Sequence, residues 1–201
     1  MDVQRQERTR ADICSIKTEN GRGRLGFNSP RRAPISRQRI EPKEIAACLR
    51  DALQAITAPR FYETERGFQG QLLVELGRRL NLAAPALVEQ EYQKTKLLHG
   101  LTIRPDIVIH EPFDPERHRH RADGNLAAIE LKRRGTPARS RDDYTNLATM
   151  LRVLRYPVAF FINIASTRPH AHLTPPEAEG GVIAFAVSLR AGRMQLVEER
   201  G

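Results

Sequence analysis

Apolar residues recur at helical spacing in three stretches of the chain. In each stretch they repeat at intervals of three, four and seven residues, which places them on one face of a helix. The first predicted helix begins at Glu41-Pro42 and ends at Ala58-Pro59, the second runs from about Glu63 to Leu80, and the third runs from about Arg141 to Leu154. Each helix therefore has one face to cover a core and one face for solvent.

Short apolar runs between turn-forming residues predict strands. They lie at 87–92, 101–110, 127–132, 158–164, 182–189 and 194–199. The polar segment 111–124 is expected to be a long loop joining the second and third strands, and the last two runs are expected to form a C-terminal β-hairpin. The order helix, three strands, helix, strand predicts an α/β fold. Its mixed central sheet is antiparallel at first, and a parallel strand joins it after a crossover helix.

Composition narrows the class of protein. The chain is 40% hydrophobic and 28% charged, which is typical of a globular domain. No run of about 18 apolar residues exists for a membrane span, and the polar N-terminus lacks the apolar core of a secretory signal. Cys14 and Cys48 are too few for a disulfide framework, so we expect a cytoplasmic protein.

The net charge of +9 is unevenly distributed. Residues 1–40 hold ten Lys and Arg against four Asp and Glu, without apolar periodicity, and are predicted to be a flexible basic arm. Residues 41–201 are predicted to form one domain. A basic surplus suits a polyanionic partner such as nucleic acid. A merely soluble, arginine-rich protein with an inert tail explains the same charge.

Two carboxylates and one lysine mark the centre of the predicted sheet. Asp106 follows a proline and leads directly into the apolar run Ile107-Val108-Ile109 of the second predicted strand. Glu130 and Lys132 point to the same face of the third predicted strand. If these strands pair, Asp106 stands next to Glu130. Such a cluster suits a hard divalent cation with a cationic group beside it, which is the equipment for hydrolysing a phosphodiester. The alternative is a surface strand with a Glu130–Lys132 pair and a loop aspartate.

Glu65 lies on the apolar side of the second helix, near the middle of the face formed by Phe68, Leu72, Leu76 and Leu80. A buried carboxylate needs a partner or a metal. Glu65 is also in the first helical turn, where a negative charge is favoured. Periodicity alone leaves both interpretations open.

The segments Arg104-Pro105-Asp106 and Glu130-Leu131-Lys132 together resemble the signature of the PD-(D/E)xK nuclease superfamily, which has a restriction-endonuclease-like αβββαβ core. The resemblance covers roughly residues 60–165 and includes the order of the elements. It implies that Asp106 and Glu130 are metal ligands and that the backbone carbonyl of Leu131 completes the shell. It also implies that Lys132 orients or activates the attacking water.

Many members of this superfamily add a glutamate from the first core helix. Glu65 matches that position and is therefore the fourth predicted site residue, acting in catalysis and in metal binding. Because this helix varies among members, Glu75 and Glu91 are kept as alternatives.

The sequence thus favours a Mg²⁺-dependent nuclease, specifically a DNA endonuclease that leaves 5′-phosphate and 3′-hydroxyl ends, with Mn²⁺ expected to replace Mg²⁺. A homodimer would supply two sites for cutting a duplex. The predicted contacts with the nucleic-acid backbone are Arg133, Arg134, Arg139 and Arg141, although a solvated basic loop accounts for them equally well. The alternative function is a nucleic-acid-binding module that keeps the fold without cutting.

Overall fold

The structure, a computed structural model, describes residues 40–90 and 103–201. In these ranges the α-helices are α1 (Pro42–Ala55), α2 (Glu65–Arg79) and α3 (Pro137–Val153), with short 3-10 helices at Pro59–Tyr62, Ala171–Leu173 and Pro176–Ala178. The strands are β1 (Leu87–Gln90), β2 (Ile107–His110), β3 (Asn125–Arg133), β4 (Ala159–Ile164), β5 (Val182–Arg190) and β6 (Arg193–Arg200).

The helices begin where the chain supplies capping groups. At α1, Pro42 occupies the first turn and the Glu41 N–H donates to the Glu44 carboxylate at 2.9 Å. At α2, the Thr64 hydroxyl accepts from the Gly67 N–H. The apolar face predicted for α2 is confirmed, since all four of its residues are buried.

Helix α3 begins four residues earlier than the predicted Arg141. The Thr136 hydroxyl accepts a hydrogen bond from the Arg139 N–H, and Pro137 occupies the first turn. Thr136-Pro137 is thus the start signal of the helix, because a proline at this position loses no hydrogen bond that the helix would form.

One mixed sheet carries the six strands in the order β1-β2-β3-β4-β5-β6. Strands β1, β2 and β3 are antiparallel neighbours, β4 is parallel to both β3 and β5, and β5 and β6 form the predicted C-terminal hairpin. The predicted change from antiparallel to parallel pairing after the crossover helix is confirmed. Strand β2 is shorter than expected: it begins at Ile107, and residues 103–106 are not in a strand. Residues 91–92 and 101–102 of the predicted strands lie outside the described residues.

The two faces of the sheet pack on different helices. Ile107, Ile129 and Leu131 belong to the core that includes α1 and α2, whereas Val108 and Ala128 belong to the core beneath α3. Strand β4 is buried at every position, as predicted for a strand covered on both sides. The alternation of β3 sends Glu130 and Lys132 toward α3.

No helix in the described ranges is long and apolar enough to cross a membrane. Cys48 is free of any disulfide. The predicted basic arm, Cys14 and Glu91 lie outside the described residues, so the predictions about them, and the cytoplasmic location, stay predictions.

Candidate active site

Asp106 stands where β2 stops pairing with β3. The last paired residues are Ile107 and Ile129, and Pro105 has no N–H to extend the ladder. The Leu131 N–H, left without a strand partner, donates instead to Asp106 Oδ2 at 2.7 Å. A buried N–H needs such an acceptor. The carboxylate is thereby fixed at the edge of β3 by a bond that engages one of its two oxygens.

Glu65 accepts the hydrogen bond of the next N–H on the same side of β3, that of Arg133. Its Oε2 accepts from the Arg133 N–H at 2.9 Å, although Glu65 is also the first residue of α2. Both interpretations of Glu65 therefore describe its position, since it is a helix N-terminal carboxylate that reaches the end of β3. Its role as a metal ligand stays a prediction.

Glu130 is the most deeply buried of these carboxylates, with only 7% of the residue exposed. Burial raises its pKa well above the usual range, and the charge of Asp106 raises it further. Burial also raises the pKa of Asp106, although hydrogen bonds from Leu131 and Glu130 lower it in part. The two carboxyl groups therefore lie within hydrogen-bonding reach of each other, as predicted, and the charge of Lys132 lowers the pKa of each in part.

The Nζ atom of Lys132 lies 3.2 Å from Oδ2 of Asp143, which is the seventh residue of α3. Burial lowers the pKa of Lys132, but the charges of Asp143, Glu65 and Asp106 outweigh that effect, so its pKa is raised. Burial raises the pKa of Asp143, and Lys132 opposes this rise. Lys132 is therefore held protonated at the end of the sheet.

Asp143 was not among the predicted site residues. Its signal is helical spacing, since it shares a face of α3 with the buried residues Ser140, Leu147 and Met150. Gln69 was likewise missed: from α2 its Nε2 donates to the Asp106 carbonyl at 2.7 Å, which ties the helix to the start of β2.

Asn163, at the end of β4, holds the turn that follows Lys132. Its Oδ1 accepts from the Gly135 N–H at 2.8 Å, and its Nδ2 donates to the carbonyls of Gly135 and Arg168 at 3.0 and 2.9 Å. Gly135 has no room for a side chain, since a Cβ would lie 2.6 Å from Ser140 Oγ and 2.9 Å from Lys132 Cγ. The lysine is thus positioned by close packing and by a buried amide.

Substituting Asn163→Ala is expected to destabilise the fold by about 2–4 kcal/mol, because three hydrogen bonds are lost and buried backbone groups are left unpaired. Urea unfolding measures this loss. The matched variant Asn146→Ala, on a half-buried side chain of α3, should stay within about 0.5 kcal/mol of the parent. A loss below about 1 kcal/mol for Asn163→Ala would show that the amide does not hold the turn.

The other predicted residues lie apart from the carboxylate pair. Glu75 forms ion pairs with Arg78 and Arg79. It lies about 15 Å along the axis of α2 from Glu65, so it is not beside Asp106 in the described structure. Arg139 and Arg141 are exposed on the first turns of α3. Arg133 is half-buried, and its Nε donates to the Tyr62 carbonyl at 2.8 Å.

No group of three or more His, Cys, Asp or Glu side chains in residues 40–90 and 103–201 is arranged to hold a metal ion. What the site offers is a pair, Asp106 and Glu130. The donor set is nevertheless of the hard, oxygen-rich kind that suits Mg²⁺, an ion that needs only one or two carboxylates and keeps several waters. Burial raises the pKa of both carboxyl groups, with a further rise from the charge of Glu65 at Asp106 and of Asp106 at Glu130, and a bound cation would favour their charged forms. The residues present therefore fit a hydrated divalent ion, and the Leu131 carbonyl stays a predicted ligand.

No family model, no curated protein and no solved structure matches this chain. The site itself consists of the buried Glu130 carboxyl group in contact with the half-buried Asp106 carboxyl group, a protonated lysine anchored by Asp143, and a third carboxylate, Glu65, on the Arg133 N–H of β3.

Proposed function

We propose that the protein is a metal-dependent nuclease that hydrolyses phosphodiester bonds of nucleic acid, and specifically a DNA endonuclease with a restriction-endonuclease-like core. The observation that supports this most is the contact between Asp106 and Glu130, with Lys132 electrostatically coupled to both. The element order α2-β1-β2-β3-α3-β4 agrees with the αβββαβ core that the sequence resemblance implies.

In this proposal Asp106 and Glu130 would hold Mg²⁺ through their carboxylate oxygens. The ion would lower the pKa of a bound water and offset negative charge on the phosphate. Because Asp106 is bonded to Leu131 through Oδ2, its other oxygen can serve the ion without releasing the strand edge. Glu65, bonded to Arg133 through Oε2, has one oxygen left in the same way.

Lys132 supplies positive charge where negative charge develops during the reaction. A water oxygen forms a bond to phosphorus, the bond from phosphorus to the 3′ oxygen breaks, and a proton passes to that leaving oxygen. The Lys132 ammonium stabilises the pentavalent phosphorus in this step. Asp143 holds the ammonium protonated and aimed from the side of α3.

Cleavage of supercoiled plasmid and of single-stranded DNA in Mg²⁺ tests the proposal. We expect Asp106→Ala and Lys132→Ala to lose activity by at least about a hundredfold, since each removes a group that acts on developing charge. Asp142→Ala, on the exposed residue next to Asp143, is the matched control and should cleave like the parent.

Cleavage that survives both site substitutions would overturn the assignment. Binding of nucleic acid without cleavage in Mg²⁺ or Mn²⁺ would instead indicate the non-cleaving binding module.

A further inference from the structure

A groove of about 680 Å³ opens at the carboxyl ends of the parallel strands β3, β4 and β5. Its walls come from the end of β3, the segment after β4, the end of β5 and the 3-10 helix at Pro59–Tyr62. Clefts outside the carboxyl ends of parallel strands are the usual binding places of open α/β sheets. The groove therefore lies where this architecture offers a ligand site.

Four arginines from three separate segments line the groove: Arg133, Arg134, Arg168 and Arg190. Of its lining residues, Glu63 alone carries a negative charge, so the groove has a surplus of three positive charges. Arg134, Arg168 and Arg190 are exposed, and in residues 40–90 and 103–201 none of them forms an ion pair with a carboxylate. Like charges brought together without counter-charges favour an anionic occupant.

The groove begins next to the candidate active site. Lys132 and Arg133 are consecutive in β3, so their side chains leave on opposite faces, Lys132 toward α3 and Arg133 toward Tyr62. Arg134 follows directly at the strand end. Arg168 also depends on the turn beside Lys132, since its carbonyl accepts from Asn163. An anionic chain with one phosphate at Lys132 would therefore reach the guanidinium groups by passing over the carboxyl end of β3.

We propose that this groove binds the nucleic-acid backbone flanking the scissile phosphate, with Arg168 and Arg190 as phosphate contacts together with Arg134. The inference rests on the proposed function for its choice of substrate. It differs from the sequence-based prediction, which placed all four backbone contacts between Arg133 and Arg141. Phosphate contacts of this kind set the register of the substrate rather than its sequence.

Fluorescence anisotropy with labelled 30-nucleotide DNA, double-stranded and single-stranded, tests the groove in EDTA, where no cleavage occurs. We expect the double variant Arg168→Ala/Arg190→Ala to lose about tenfold or more in affinity near 150 mM salt. The slope of log affinity against log salt concentration should also decrease in magnitude by about two, one for each lost phosphate contact.

The control is Arg119→Ala/Arg152→Ala, which removes the same charge from two exposed arginines. Arg119 lies in the loop before β3 and Arg152 at the end of α3, before β4, so both are near the amino ends of the parallel strands, away from the groove at their carboxyl ends. The control should bind within about twofold of the parent. Equal losses in both double variants, no loss in the groove variant, or no DNA binding by the parent would each overturn the inference.

Hydrolysis of bis(4-nitrophenyl) phosphate by the parent protein in Mn²⁺ separates this inference from the proposed function. That small diester reports on the carboxylate pair and Lys132 without needing a long backbone. Hydrolysis together with unchanged DNA binding in the groove variant would reject the groove alone. Absent hydrolysis together with a selective loss of DNA binding would reject the nuclease and keep the groove as a nucleic-acid site.

Discussion

Glu130→Gln is expected to abolish metal-dependent cleavage and at the same time to stabilise the metal-free protein. Cleavage should fall by at least about a hundredfold, because the neutral amide no longer balances a divalent cation. Stability should rise because the charged carboxylate is 7% exposed and lies against Asp106, which makes ionisation costly in the folded state. Active sites commonly trade stability for function in this way.

The pH dependence of stability follows from the raised pKa of Glu130 and of Asp106. A carboxyl group with a raised folded-state pKa binds protons more tightly when folded. Its contribution to stability is complete below the pKa of the unfolded chain, about 4, and is lost as the pH rises through the folded-state value. Without metal, the parent should therefore lose stability as the pH rises above about 4, and Glu130→Gln should lose less.

Thermal unfolding at pH 5 and pH 8, with EDTA and with Mg²⁺, measures these effects. About 1 kcal/mol shifts the midpoint of a domain of this size by about 2–4 °C, so a gain of several degrees at pH 8 is expected for Glu130→Gln in EDTA. Mg²⁺ should stabilise the parent and leave the variant unchanged. The control Glu116→Gln, in the exposed loop before β3, should follow the parent. A Glu130→Gln variant that cleaves normally, or that is less stable at pH 8, would contradict the account.

Lys132→Met is expected to lower kcat by about 10²–10³-fold, because it removes a fixed positive charge that faces the transition state. DNA binding should change far less, since the arginines of the groove are untouched. Single-turnover cleavage at saturating enzyme measures the chemical step directly. A variant with reduced affinity and normal single-turnover rate would assign Lys132 to binding rather than to catalysis.

Asp143→Asn tests how Lys132 is held. The charge of Asp143 is the largest influence that raises the pKa of Lys132. Neutralising it lowers that pKa, so the alkaline limb of the pH–rate profile should move to lower pH while the rate near neutrality is retained in part. Asp142→Asn is the matched control on the adjacent, exposed residue. A profile for Asp143→Asn that coincides with that of the parent would show that Asp143 only packs against the lysine.

Much of the fold was predictable because the local hydrophobic pattern of each element matches its burial in the structure. The apolar face of α2, the doubly buried β4 and the C-terminal hairpin follow from periodicity and turn residues. The start of α3 was wrong because Thr136-Pro137 is both a loop signal and a helix-start signal. The start of β2 was wrong because the apolar pattern does not reveal where pairing with β3 ends.

The candidate site was predictable in part for a similar reason. Strand alternation places Glu130 and Lys132 on one face, and strand pairing brings Asp106 beside them. Asp143 and Asn163 were missed because their partners, Lys132 and Gly135, lie 11 and 28 residues away in the chain. No local sequence pattern predicts how the elements that carry these residues are aligned. Even the hydrogen bonds that fix Asp106 and Glu65 go to backbone N–H groups, which carry no sequence signature.

A divalent cation held between Asp106 and Glu130 is the claim on which the proposed chemistry depends. Titration of Mn²⁺ followed by electron paramagnetic resonance measures it directly, comparing the parent with Asp106→Asn/Glu130→Gln and with a doubly neutralised control, Glu116→Gln/Asp142→Asn. A Mn²⁺ site of defined stoichiometry is expected in the parent and in the control, and its loss is expected in the site variant. Equal Mn²⁺ binding by all three proteins, or none by the parent, would contradict this claim.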